Sequence, residues 1–396
     1  MAVIRDSEMN TKRNQFGVVC FLDLCGTDEK MWFIDQYHNT LDSFDVQSMR
    51  ISLVAPLPVF EDTSYLVNQY GNIFQAGEKI FIAPRNSNYL LIYNLESQKF
   101  MCITLEQRYV RDDRVYNFFN SSFSQGDFVY FIPGMYSRIA RVNIHTCEID
   151  YLDFGYEKIK TELPEPERVL FSDCAVIGGN AYLIFWQEEK ILRLNLSSNE
   201  YEWVQLSDRN RPLSGIVYDH GFFWVTTRDE PIILKLNQSL DIVEEISCYP
   251  DFNSSGVKCG FNYLFDSDEF LFAVAGSGKD IFRVRKQDSQ AEKWYEFREN
   301  VSDDLVGLPL IDTKTTCAKK ISDNLAVIYS VKDAKILLVD LEKGTLKSVD
   351  AYVEDEKQRL QIKGYWTHFL VNSRNNLVGE TPDLVLKDFL NAITFS

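Results

Sequence analysis

What this chain of 396 residues lacks narrows its class. It has no apolar run of the roughly 18 residues a membrane helix needs, so no membrane span is expected. Its start, from Met1 to Asn10, lacks a basic segment followed by an apolar one, so no secretory leader is expected either. Histidine is scarce, with four residues, and no two stand at metal-ligand spacing. The eight cysteines form no Cys-x-x-Cys pair, which excludes zinc knuckles, and a chain this long needs no disulfide staples. Free thiols without a leader point to a reducing, cytoplasmic setting. Positive charge is in deficit: the net charge is −17, a poor match to a phosphate backbone, so no nucleic-acid partner is expected. No Gly-x-Ser-x-Gly elbow occurs. Gly276-Ser-Gly278 with Lys279 is too short for a phosphate loop. No metal and no cofactor is expected.

What the chain has in quantity is apolar material. Apolar residues make up 45% and aromatics 14%, enough for a packed core. This material recurs. Seven segments each carry an apolar strand, a short loop and a second apolar strand that closes on Asp45, Asn94, Asn143, Asn195, Asn237, Arg285 or Asp340. The spacings of these anchors are 49, 49, 52, 42, 48 and 55 residues, in the range of propeller blades.

Three columns keep strict register within the units. Thirteen residues before the anchor stand Trp32, Phe81, Tyr130, Tyr182, Trp224, Phe272 and Val327. Four before it stand Leu41, Leu90, Ile139, Ile191, Ile233, Ile281 and Ile336, and one before it Phe44, Tyr93, Val142, Leu194, Leu236, Val284 and Val339. Short β-branched and aromatic runs bounded by turn residues are strands, not helices. Turn signals such as Gly77-Glu78 and Gly126-Asp127 precede each pair. After the anchors, Asn or Asp side chains can bond the backbone two residues on. Candidate first strands include 17–22 and 174–177; candidate fourth strands include 201–206 and 346–349.

The pattern predicts an all-β protein: a seven-bladed β-propeller with four antiparallel strands per blade and a short C-terminal helix. The expected organisation is a tail at 1–13, the propeller at 14–356, and a closing strand and helix at 357–396. Thr381-Pro382-Asp383 opens a helix whose apolar stripe includes Val385, Phe389 and Ala392, and Gly364–Val371 reads as one more strand. Residues 157–168, with two prolines and seven charges, read as a surface insertion.

The order of apolar strand, loop, apolar strand, Asn-x-x-Ser and aromatic resembles a kelch-type blade, best in 195–203, Asn-Leu-Ser-Ser-Asn-Glu-Tyr-Glu-Trp. The resemblance covers roughly 14–353. It departs in the missing double glycine after each second strand; Gly178-Gly179 precedes its strand instead. The resemblance implies the fold and carries no functional residue.

In such a blade, the loop joining the second and third strands lies over the channel, together with the linker between blades. The expected ligand-binding set is Tyr37, His38, Arg85, Arg111, Asp112, Asp113, Arg114, Tyr136, Arg138, Trp186, Arg228 and Asp229, with Glu188 and Glu189 beside them. Aromatic faces with charged hydrogen-bonders suit a sugar, a carboxylate or a peptide. No catalytic residue can be assigned. The function expected is a non-enzymatic binding or scaffold propeller holding a protein or small-molecule ligand on its loop face. The alternative is a cofactor-free sugar-active epimerase, mutarotase or lyase using the Arg/Asp/Tyr mouth.

Overall fold

The computed structural model describes residues 18–36, 38–58, 60, 69–111, 118–163, 169–248, 260–276, 278, 280–297, 315–331 and 333–362. It contains 28 strands, β1–β28 in chain order, in seven sheets of four. The blades span 24–56, 70–104, 119–152, 171–205, 213–247, 263–296 and 315–350. Each is a meander of four consecutive strands paired antiparallel. The first strands lie innermost: β1 (Leu24–Gly26), β5 (Tyr70–Ala76), β9 (Phe119–Gln125), β13 (Phe171–Ile177), β17 (Leu213–Asp219), β21 (Tyr263–Asp266) and β25 (Thr315–Ser322). Each touches the next, and β25 touches β1, so the ring is closed around a central channel.

The three sequence columns acquire a physical meaning here. Residues two apart on a strand share a face, so the two faces of a blade meet different neighbours. Both faces are buried, which is why the strands read as continuous apolar runs. Seven buried clusters sit one at each blade interface. The column thirteen before the anchor and the column four before it face the following blade. The column one before it faces the preceding blade. Trp32 and Leu41 thus pack toward blade 2, together with Tyr93, which points back from blade 2. A register slip of one residue would swap these faces, so the columns admit no insertion.

Turn chemistry matches the anchors. Asn143 Oδ1 accepts from His145 N and Thr146 N, both at 2.9 Å, and Asn195 Oδ1 accepts from Ser197 N at 3.0 Å. Gly77 and Gly126 hold φ of +56° and +58° in the tight turns before their second strands.

Among the described residues, no strand from one end of the chain completes a sheet at the other; blades 1 and 7 are each built from consecutive strands. Closure therefore rests on packing and on bonds between the two ends. Phe21 stacks between Tyr329, at 4.2 Å, and Phe33, at 4.5 Å. Tyr329 Oη donates to Val19 O at 2.6 Å, and Val19 N donates to Ala351 O at 3.1 Å. A C-terminal helix over 356–362 buries Ile362 in the same cluster, and its Gln358 Oε1 accepts from Leu53 N at 2.8 Å. The helix and strand expected beyond residue 362 lie outside the described residues.

Two expectations change in detail. The first strand of blade 1 is Leu24–Gly26, while 18–22 runs along the closure seam, because Val18 and Val19 pair with the chain after blade 7 instead of with β2 (Lys30–Asp35). The insertion after blade 3 begins with a short helix, α1 (Tyr156–Ile159), and 164–168 lies outside the described residues.

The closure seam also holds Asp42, fully buried with neither carboxylate oxygen hydrogen-bonded among the described residues. Burial, reinforced by the nearby Asp35 carboxylate, pushes its pKa well up, so its neutral form is favoured.

Candidate functional site

The innermost strands enclose a cavity of about 620 Å³ along the axis. Its wall is polar for a local reason. Five of the seven first strands begin with a β-bulge against their second strand. The shifts fall between Tyr70 and Asn72, next to Asn120, between Phe171 and Cys174, between Leu213 and Ile216, and between Thr315 and Cys317. A bulge frees one residue from the ladder and re-aims side chains. The residues at these bulges, among them Asn72, Asn120, Ser172, Asp173, Ser214 and Thr316, line the channel.

Most of this polar wall stitches neighbouring blades together. Asp23 Oδ2 accepts from Asn72 Nδ2 at 2.7 Å and from Ile73 N at 3.1 Å, joining blade 1 to blade 2. Asn120 Nδ2 donates to Phe171 O at 2.8 Å, joining blade 3 to blade 4. Asp173 Oδ2 accepts from Ile216 N at 3.2 Å, joining blade 4 to blade 5. Ser214 Oγ donates to Phe261 O, and Thr316 Oγ1 donates to Phe21 O at 2.8 Å. Lys319 Nζ donates to Asp23 Oδ1 at 2.9 Å and to Leu24 O at 3.0 Å.

Electrostatics in the channel follow from burial. Burial raises the pKa of Asp173 to about 6, against the backbone N–H groups of Cys174 and Ile216, which favour its charged form. Burial pushes the Cys174 and Cys317 thiols up, so they are poor nucleophiles. Burial alone would lower Lys319, but the Asp23 carboxylate outweighs it and holds the amine above its ordinary value. Arg85, Asn262, Tyr263 and Ser122 are among the wall side chains that make no side-chain hydrogen bond to the described residues. The buried hydroxyl of Ser172 and carbonyl oxygen of Asn72 likewise have no partner there.

The residues expected at the mouth divide. Arg85 and Trp186 follow β6 (Lys79–Pro84) and β14 (Asn180–Phe185), and both line the channel. Arg228 lies over the Trp186 ring at 4.4 Å, and Asp229 follows it, half-buried. His38 is instead held by the Asp35 carboxylate within its own loop. Tyr136 is fully buried and donates to Glu106 O at 2.7 Å. Arg138 pairs with Asp153 at 3.2 Å and covers the Tyr109 ring at 5.1 Å. Tyr37, Asp112, Asp113 and Arg114 lie outside the described residues. Glu189 is fully buried against Arg211, and Glu188 pairs with Lys190.

Arg111 donates to Gly134 O at 3.2 Å and to Tyr156 Oη at 3.3 Å, with its guanidinium over the Tyr156 ring. Arg111→Ala is expected to lower stability by about 1–2 kcal/mol, the value of two hydrogen bonds and a cation–π contact. Denaturant unfolding measures it; an unchanged midpoint would free Arg111 for a ligand role.

Apart from Arg85 and Trp186, the channel residues are not among the expected ligand-binding set, yet they leave a signal. Four of the five bulged first strands open on an apolar residue followed at once by a small or polar one: Tyr70-Gly-Asn72, Phe119-Asn-Ser121, Phe171-Ser-Asp173 and Leu213-Ser-Gly215. This is a further repeat column, set by the bulge.

Among the described residues, no group of three or more His, Cys, Asp or Glu is placed to hold a metal, and no helix is long and apolar enough to cross a membrane. The fold and channel define the class: a seven-bladed β-propeller with a polar axial cavity. No protein-family model and no curated protein matches the sequence. Solved structures do. Virginiamycin B lyase from Staphylococcus aureus superimposes with a TM-score of 0.58 at 12% identity, over 82% of this chain and 94% of that one. A streptogramin B lyase gives 0.54 at 14% identity, over 85% and 94%. Kluyveromyces lactis Hsv2 gives 0.52 at 11% identity, over 85% and 99%. At these identities the likeness shows the fold alone.

Proposed function

We propose that the protein is a binding propeller that takes a small polar molecule into its axial channel. One observation carries the reading. A cavity of about 620 Å³ is walled by polar groups that are not all consumed by the structure: Arg85, Asn262, Tyr263 and Ser172 remain without side-chain partners among the described residues. A concave site with a few unengaged polar groups is the form small-molecule sites take. A buried polar group such as the Ser172 hydroxyl needs an explanation, and a ligand supplies one. We also read the blades as kelch-type on the order of signals in 195–203, and the cysteines as suited to a cytoplasmic setting.

A second reading, a cofactor-free acid–base enzyme, is favoured by Asp173, whose pKa of about 6 suits proton transfer near neutrality. Against it, both Asp173 oxygens already accept backbone N–H groups, and the carboxylate is not among the charges that act on Arg85.

The test is native mass spectrometry of the full chain after incubation with a mixture of small carboxylates, sugars and nucleotides. Wild type should retain a small adduct, and the channel-filling variants Ser172→Trp and Ser121→Phe should not, with circular dichroism confirming their fold. An adduct kept by both variants would refute the reading. A changed mass in the recovered probe would favour the enzyme.

A further inference from the structure

We propose that the channel is an anion site, and that its ligand carries a carboxylate or phosphate group seated on Arg85. This deepens the binding reading above and rests on it.

The argument starts from the backbone. Arg85 N donates to Gln69 O at 2.7 Å, and Arg85 O accepts from Phe118 N at 3.3 Å, so the residue is fixed at the junction of blades 2 and 3. Its stem lies beside Gly71: a Cβ built there would sit 3.6 Å from Arg85 Cβ and Cδ. The bulge that frees Gly71 from the ladder thus gives the arginine a bare backbone to lie along. The guanidinium lines the cavity and forms no hydrogen bond or ion pair with the described residues.

Several other arginines of the fold are answered by acids. Arg141 pairs with Asp150, Arg193 with Glu202, Arg211 with Glu189 and Glu245, and Arg283 with Glu292. These stand on outer strands or loops. Arg85 alone among these lies on the axis, and the channel's carboxylates are already committed. Asp23 holds Lys319 and Asn72, Asp173 holds two backbone N–H groups, and Asp266 holds Lys286 and Lys320. The groups that act on Arg85 are the Cys20 thiol and the Tyr263 hydroxyl, neither ionised at neutral pH.

Burial weakens the guanidinium's hold on its proton, yet an arginine stays charged in proteins. Arg85 is half-buried on the cavity wall, and a partly desolvated cation without a counter-charge leaves a place for an anion. The planar fork of donors matches a carboxylate or phosphate two oxygens at a time. Tyr263 and Asn262, on the opposite arc of the ring, supply further donors without adding negative charge. In a protein of net charge −17, such a point attracts anions only because the local field around it is uncompensated.

The test uses the full chain and three probes: sodium phosphate, sodium succinate and neutral succinamide, each to about 50 mM at ionic strength fixed with sodium chloride. Thermal unfolding is followed for wild type, Arg85→Gln, Arg85→Lys and Ser172→Trp. Phosphate or succinate should raise the wild-type Tm saturably, and which of them does so identifies the group. Arg85→Gln should weaken that effect at least about tenfold in apparent Kd. Arg85→Lys should keep part of it, and serves in its place if the Gln variant does not fold. Two results overturn the anion assignment while leaving the channel reading intact: succinamide binding wild type and Arg85→Gln alike, or no anion effect beyond that of chloride. An anion effect that Ser172→Trp leaves unchanged would place the ligand outside the channel and overturn both.

Discussion

Glu189→Ala is expected to cost about 2–4 kcal/mol of stability, below the full penalty for an unpartnered buried charge because Arg211 keeps Glu245. Glu189 follows β14 and precedes β15 (Lys190–Asn195), in a loop that is exposed in a generic propeller. Here its side chain is wholly buried, and that of Arg211 is 7% exposed. Glu189 Oε1 accepts from Arg211 Nη2 at 2.6 Å, and Oε2 accepts from Ser207 Oγ at 2.5 Å. Arg211 also reaches Glu245 at 3.0 Å, on β20 (Ile242–Ser247), so the pair ties blade 4 to blade 5. Removing the glutamate leaves the arginine with one partially exposed acid. Urea unfolding followed by tryptophan fluorescence reads the loss. A midpoint within experimental error of wild type would show that Glu189 is free to serve a ligand.

That example marks where sequence reading succeeds and stops. The blades were legible because each of three columns is buried at a blade interface, and burial on both faces makes them apolar without exception. The count of seven and the ends of the third strands followed from spacing: the anchors at 45, 94, 143, 195, 285 and 340 end their third strands, and Asn237 follows one. The loops were harder. Their sequences show charge and aromaticity, but not which side chains satisfy one another. Tyr136, Arg138 and Glu189 look like ligand-binding residues in a one-dimensional reading. Each is instead engaged by a partner from a neighbouring loop or strand, at a distance in sequence that no local pattern encodes.

The channel was illegible for the opposite reason. Its residues sit in strands, where polar positions read as solvent-facing, and the bulges that turn them to the axis are visible only from the pairing register. Of the mouth residues, Arg85 and Trp186 reach the axis because they immediately follow second strands, the last positions with a fixed relation to the ladder. Farther into the loop, the chain is free to fold back on its own blade, as His38 and Arg138 do.

Asp23→Ala should be the most damaging substitution on the channel wall, at about 2–4 kcal/mol. The carboxylate accepts four hydrogen bonds: from Leu24 N at 2.8 Å, Ile73 N at 3.1 Å, Asn72 Nδ2 at 2.7 Å and Lys319 Nζ at 2.9 Å. Hydrogen bonds to a charged group contribute about 1.5–3 kcal/mol each, well short of additively. Lys319 keeps Leu24 O and is about a third exposed, so water screens part of its loss and the upper end is not reached. What makes the site sensitive is topology. Among the described residues no strand is shared between blades 1 and 7, and Asp23 binds blades 7, 1 and 2 at one point. Its removal should therefore loosen the closure locally as well as lower global stability. Asp23→Asn, which keeps the shape but loses the charge and one acceptor, should cost about half as much. Amide hydrogen exchange distinguishes the two effects: Leu24 and Ile73 should lose protection in Asp23→Ala while the amides of blade 4 keep theirs. A loss below about 1 kcal/mol with those two amides still protected would mean that packing at Phe21 and Tyr329 closes the ring without Asp23.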